Sequence, residues 1–265
     1  MSTRVTELND DATLAEFFKR DRLWMAYALC DLEPPYRASS RYLGAVQNDR
    51  VTAVVLVYAV PRFTGLLTFG DVAGVASILA EAQDLPPAPF LLMGEEHAEV
   101  VGDRYAVWRQ WTMQRMALMR DCFQAAPARS DVRRLSPADL PAIEALYGVE
   151  GLGFLDPAIL HSDFFFGAYD GEGLVAIAGT HAFSRCYRLG AVGGVFTRPD
   201  HRSQGLATAT TSAVAQSMLE AGADEIVLNV SVENEPALRA YRRLGFSFVR
   251  TYLEGETEDG GHRTI

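Results

Sequence analysis

The stretch Arg202-Ser-Gln-Gly-Leu-Ala207, followed by Asn234-Glu-Pro-Ala-Leu-Arg-Ala-Tyr241 and then Leu244-Gly-Phe246, decides the fold of this chain. Ahead of it, Val192-Gly-Gly-Val-Phe-Thr197 predicts a strand that Pro199 breaks. From Gln204 to Ala221, residues Leu206, Ala209, Ala213, Met218 and Leu219 fall largely on helical spacing. Ile226-Val-Leu-Asn-Val230 predicts a second, buried strand. Asn234 then caps a short helix, Pro236 sits in its first turn and Gly245 ends it. The resulting order is strand, glycine-bearing turn, helix, strand, helix, strand. A helix that opens on such a turn offers unpaired amide N–H groups and the positive end of its dipole to an anion. Gly205 lets the main chain approach that anion, Arg202 adds charge, and Gln204 and Thr208 add hydrogen bonds.

These stretches resemble the two cofactor-binding motifs of the acetyl-CoA-dependent N-acetyltransferase (GNAT) superfamily, over residues 131–253. The resemblance implies transfer of an acyl group from acetyl-CoA to an amine by direct attack, through a tetrahedral intermediate. It implies that the turn Arg202, Ser203, Gln204, Gly205, Leu206, Ala207 and Thr208 wraps the pyrophosphate. The strand ending at Thr197 would bulge at Gly193-Gly194 and splay from its parallel neighbour at 226–231. The pantetheine arm would enter that gap, with Val195, Phe196 and Thr197 offering backbone partners and polarising the thioester carbonyl. Asn234 would bond the arm as well as cap its helix, and Tyr241 would protonate the departing thiolate.

From the residues alone, other readings stand beside these. Paired glycines also suit a tight crossing of backbone over a neighbouring side chain. Tyr241 shares a helix face with Leu238 and Leu244, as a core aromatic does. No acid lies on the strand at 191–197 to serve as general base. His181 is the candidate: a turn near Cys186 would set it beside Ala191, and an ordinary histidine titrates where proton transfer is useful. Packing is the alternative for His181, and Asp163, Glu150, Asn229 or ordered water are further candidates for the base.

The chain has 265 residues, enough for two domains, and Gln124-Ala-Ala-Pro-Ala-Arg-Ser-Asp131 reads as the boundary. Beyond it we expect a strand at 132–135, a capping box Ser136-Pro-Ala-Asp139 opening a helix at 137–147, and a meander over 164–169, 174–183 and 188–197. The first half repeats this order: a hairpin 41–47 and 51–58 across Asn48-Asp49, a strand at 65–69, a helix at 71–83, a strand at 90–93 and a short helix at 95–101. Residues 109–119 read as a strand or a helix, since Trp111, Met116 and Met119 suit both. Residues 64–119 then parallel 191–253 element for element, which predicts an internal duplication, with an unrelated α/β domain as the alternative. In place of the phosphate turn the first half has Gly70-Asp-Val-Ala-Gly-Val75, without the arginine and with no counterpart to Tyr241, so it is expected to have lost the cofactor. The expected fold class is α/β: two GNAT-like domains, 1–126 (degenerate) and 131–265. Each is a mixed, mostly antiparallel sheet flanked by helices, the second with a splayed parallel strand pair at its cofactor site.

No apolar run reaches the roughly 18 residues a spanning helix needs, and the first ten residues lack a signal-peptide hydrophobic region. Cys30, Cys122 and Cys186 are odd in number and far apart, which points to a reducing, cytoplasmic setting. His97, His161, His181, His201 and His262 show no ligand spacing, so no metal is expected. The formal net charge of −10 disfavours nucleic acid and favours a cationic small-molecule or peptide amine. No membrane partner is expected, and a homo-oligomer is left open. Two rival functions remain. One is acyl transfer from aminoacyl-tRNA, against which the acidic balance and the intact turn both count. The other is a non-catalytic acyl-CoA sensor or interaction module, raised by the missing acid on the central strand.

Overall fold

The computed structural model describes residues 3–61, 63–148, 164–171 and 173–258. Contacts divide the described residues into two compact units, one made of residues up to Gln114 with those from Arg250 to Glu258, the other of Arg115–Val249. This departs from the expected division at 126 and 131. The reason is strand pairing. The first unit's sheet takes in the end of the last strand, whose Leu253 pairs with Met93 and whose Glu256 pairs with Phe90.

In the first unit, strands β1 (Arg4–Glu7), β2 (Ser40–Gln47), β3 (Arg50–Val60), β4 (Phe63–Gly70) and β5 (Phe90–Met93) are joined in that order. Next come the Arg250-onward part of the last strand and the beginning of β6 (Val107–Met119). There β4 and β5 run parallel, from Gly65–Phe90 to Thr68–Met93. Asn48 and Asp49, at φ 50° and 60°, make the two-residue turn that a right-twisted hairpin requires. Helix α1 (Asp11–Phe18), which the sequence reading did not anticipate, is capped by Asp10 accepting from Thr13 N at 2.9 Å. After it come α2 (Ala26–Cys30), α3 (Val72–Glu81) and α4 (Ala98–Gly102). On one side Val55, Leu66, Ile78 and Leu91 form an aliphatic core; elsewhere Phe18, Trp24, Phe69 and Tyr252 pack edge to face or tilted at 5.3–5.9 Å. The segment 107–119 is a strand, not a helix.

Asp31, the C-cap of α2, is buried, and desolvation pushes its carboxyl up to about 8. The native state therefore keeps a proton that the unfolded chain releases near pH 4, so stability falls as pH rises from about 4 to 8. Asp31→Asn should remove this dependence. In urea titrations its advantage over the parent should be small near pH 4 and on the order of 5 kcal/mol at pH 8. An equal effect at both pH values would show that Asp31 is ionised in the fold.

The second unit orders its strands from the end of β6 through β11 (Glu225–Ser231), β10 (Leu189–Thr197), β9 (Leu174–Ser184) and β8 (Phe165–Tyr169) to β7 (Val132–Arg134). The start of β12 (Ser247–Thr257) also belongs to it. The capping box forms as read: Ser136 N donates to Asp139 Oδ2 at 2.8 Å ahead of a 3-10 turn and α5 (Leu140–Tyr147). Helices α6 (Leu206–Glu220) and α7 (Glu235–Arg243) bury Val214, Met218 and Leu238 with Val192, Ile226 and Leu228. The order strand, helix, strand, helix, strand recurs as β4-α3-β5-α4-β6 and β10-α6-β11-α7-β12. Among the described residues no helix is long and apolar enough to cross a membrane.

Candidate active site

The parallel pairing of β10 with β11 runs from Leu189–Glu225 to Val192–Leu228 and stops there, although β10 continues to Thr197 and β11 to Ser231. Opposite, on β9, the register slips between Gly193–Gly179 and Phe196–Ile177, so that Gly194 and Val195 form a bulge. Gly194, at φ 59°, carries the backbone conformation of that bulge. Gly193 serves another purpose. A Cβ there would come within 2.8 Å of His181 Cβ and 3.0 Å of its Nδ1. Both readings of the paired glycines therefore hold, one for each glycine.

His181 does not pair beside Ala191 as expected, because Ala191 faces Ala182 and Val192 faces Thr180. A register shift between those pairs makes His181 the extra residue of a bulge, with its side chain against Gly193. The residue as a whole is exposed; desolvation of the ring against Gly193, and then the Arg115 guanidinium, lower the pKa of the imidazole below its ordinary value. Arg115 itself is fully buried and donates from Nε to Asn229 Oδ1 at 2.7 Å, which commits Asn229 as an acceptor. The sequence reading missed Arg115; a lone cation inside the apolar run 113–119 is the signal that would have found it. Glu150 and Asp163 lie outside the described residues.

Beyond Thr197 the chain makes a 3-10 turn (Pro199–His201), and Ser203 adopts φ 64°. Gly205, at φ 76°, is the N-cap of α6. The first helical bond runs from Ala209 N to Gly205 O at 3.0 Å, which leaves the amides of Leu206, Ala207 and Thr208 as the helix's unpaired donors. Arg202, Ser203, Gln204 and Gly205 are exposed, and nothing lies within 4 Å of where a Cβ on Gly205 would sit. Arg129 donates to Gln204 O at 3.2 Å and pins the turn from the preceding segment. At the end of β10, Thr197 Oγ1 is buried with no hydrogen-bond partner, while Val195 and Phe196 are half-buried. An anion over open amides, beside an opened strand pair with an orphaned hydroxyl, fits a pyrophosphate that continues into an extended amide-bearing arm.

The matching place in the first unit is closed. One residue, Asp71, separates β4 from α3, and its Oδ1 takes Gly74 N at 2.7 Å, using a donor that a phosphate would need. A Cβ on Gly70 would lie 2.2 Å from Thr52 O. His97 bonds Thr68 Oγ1 at 2.8 Å and Gly70 O at 3.1 Å across the end of the parallel pair.

On α7, Asn234 Oδ1 accepts from Ala237 N at 3.2 Å, the cap that the sequence predicts. The helix ends in a Schellman motif: Phe246 N bonds Tyr241 O and Gly245 N bonds Arg242 O, each at 3.1 Å, with Gly245 at φ 98°. That motif brings the rings of Tyr241 and Phe246 to 6.1 Å. Tyr241 is 5 % exposed, and burial pushes its phenol up to about 12, so the hydroxyl holds its proton at every ordinary pH.

A family model described as "Acetyltransferase (GNAT) family" matches residues 117–246. Those residues form a GNAT-family domain. A mycothiol acetyltransferase of Corynebacterium aurimucosum is 38% identical over 73 residues, 28% of this chain and 22% of that protein. An N-alpha-acetyltransferase 30 of Schizosaccharomyces pombe is 45% identical over 60 residues, 21% of this chain and 40% of that protein. The chain thus matches well under half the length of either relative. A solved tandem GNAT protein from the clavulanic acid biosynthesis pathway shares the fold over 99% of this chain and 100% of its own, with a TM-score of 0.61 at 12% identity. The splayed β10–β11 pair and the open turn at Gly205 both lie within the matched GNAT residues.

Proposed function

We propose that the GNAT domain transfers an acetyl group from acetyl-CoA to a primary amine, and that it is the chain's one acetyl-CoA site. The observation that carries this reading is the end of the β10–β11 ladder at Val192–Leu228 beside the open, positive-φ turn at Gly205. When bound, acetyl-CoA supplies a thioester whose carbonyl carbon accepts the amine lone pair. The first-turn amides of α6, with Arg202, hold the pyrophosphate. The main chain of Val195 to Thr197 binds the arm and polarises the carbonyl. As the new C–N bond forms and the C–S bond breaks, Tyr241 Oη gives the leaving sulfur a proton and recovers one from solvent; the amine's surplus proton leaves to water. The first unit, with its turn closed by Asp71 and Gly70, is read as a degenerate copy.

The acceptor we propose is a small-molecule or peptide amine of positive charge, supported by the chain's net charge of −10. A second reading, an acyl-CoA sensor, is favoured by the absence of an acidic side chain on β10. Thiol release from acetyl-CoA across amine pools separates the two, because a sensor releases none in any pool. Retention of charged tRNA at low salt would instead favour the aminoacyl-tRNA reading.

The pH profile carries a further expectation. With the pKa of His181 lowered, the rate should rise from about pH 6 to 8 because the neutral, nucleophilic fraction of the attacking amine increases over that range. His181→Ala should leave the position of that rise unchanged. A rise that flattens in this variant would restore His181 as the base.

A further inference from the structure

Tyr147, the last residue of α5, donates its hydroxyl hydrogen bond to the carbonyl of Gly194 in the β10 bulge. Its ring packs against Phe196 at 5.6 Å between centroids. A Cβ on Gly194 would stand 3.0 Å from Tyr147 Oη, so glycine at 194 satisfies both the backbone turn and this contact. Burial raises the Tyr147 phenol well above its ordinary range, and it remains a donor at every working pH. The Gly194–Val195 peptide is outside the paired register with β9 and beyond the last pair with β11. No strand partner in those ladders fixes its orientation; Tyr147 does.

In a trans peptide the C=O and the following N–H point in opposite directions within one plane. Holding the Gly194 carbonyl toward Tyr147 therefore directs the Val195 N–H away from it. A hydrogen bond accepted at the carbonyl also polarises the same peptide and strengthens its N–H as a donor. We propose that Tyr147 is a positioning residue, which aims and strengthens the Val195 amide as a hydrogen-bond donor to the acyl carbonyl. This rests on the acetyl-transfer reading above. It ties the end of α5 to the geometry of the cofactor strand, a link between two elements that are distant in sequence.

The test compares CoA, which ends in a thiol, with the ketone analogue of acetyl-CoA in which a methylene replaces the thioester sulfur; the two share the nucleotide, pyrophosphate and pantetheine arm, and only the second carries an acyl carbonyl. Calorimetry on the full chain gives both affinities for the parent and for Tyr147→Phe, which keeps the ring against Phe196. The variant should bind the ketone about tenfold more weakly and CoA within about twofold, with kcat down about tenfold or more. Gly194→Ala, checked for an intact melting transition, should reproduce the selective loss. Equal weakening of both ligands, or of neither, would overturn the positioning role while leaving acetyl transfer standing. Failure of the parent to bind CoA would overturn the acetyl-transfer reading and the positioning role with it.

Discussion

Replacing Tyr241 with phenylalanine should lower turnover about 100-fold while cofactor affinity and stability stay close to those of the parent. The ring contributes to the core beside Leu238, Leu244 and Phe246, and phenylalanine keeps that packing. What is lost is one hydroxyl. A leaving thiol titrates near 8.5 in its free form, and the departing sulfur carries negative charge unless a donor meets it. Because burial holds the phenol up at about 12, the donor does not titrate in the working range. The deficit of Tyr241→Phe should therefore be the same at pH 6.5 and pH 8.5. Turnover within about threefold of the parent, with an amine whose chemistry limits the rate, would return Tyr241 to packing alone.

The second large effect is at Gly205. Acetyl-CoA at 100 times its dissociation constant stabilises the native state by about 2.7 kcal/mol, which raises Tm by roughly 5–10 °C for a chain of this size. Gly205→Val should abolish that shift, since its side chain enters the open space over the first-turn amides of α6. Valine at φ 76° is also strained, so its own Tm should fall. Asparagine tolerates this conformation far better, and Gly205→Asn should lose most of the ligand shift with a smaller loss of basal stability. An undiminished shift in both variants would move the cofactor elsewhere. Calorimetry on the parent should count one site per chain; two sites of similar affinity would contradict the closed turn at Gly70 and Asp71.

Local sequence determined much of this protein. The helices at 206–220 and 235–243, the Asn234 cap, the Schellman end at Gly245, the capping box at Ser136 and the Asn48-Asp49 hairpin all follow from spacing and single-residue conformational preference. These features depend on neighbours a few residues apart, and the sequence lists those neighbours directly. The paired glycines foretold an irregular strand, and the end of the ladder at Val192 bears that out.

Only the tertiary structure decided the rest. Gly70 and Gly205 both follow a strand and precede a helix, yet one abuts the Thr52 carbonyl and the other faces open space. Whether a glycine makes room for protein or for ligand depends on what the fold sets opposite it. His181 missed Ala191 because the turn sets Ser184 opposite Leu189, one step from the expected register, and the bulge that follows then sets Thr180 opposite Val192; neither is visible in residue spacing. The burial of Arg115 against Asn229 and the bond from Tyr147 to Gly194 join residues 114 and 47 positions apart. The last strand pairs with β5 across more than half the chain. Such contacts are selected by summed packing and register over whole sheets, which no local pattern encodes.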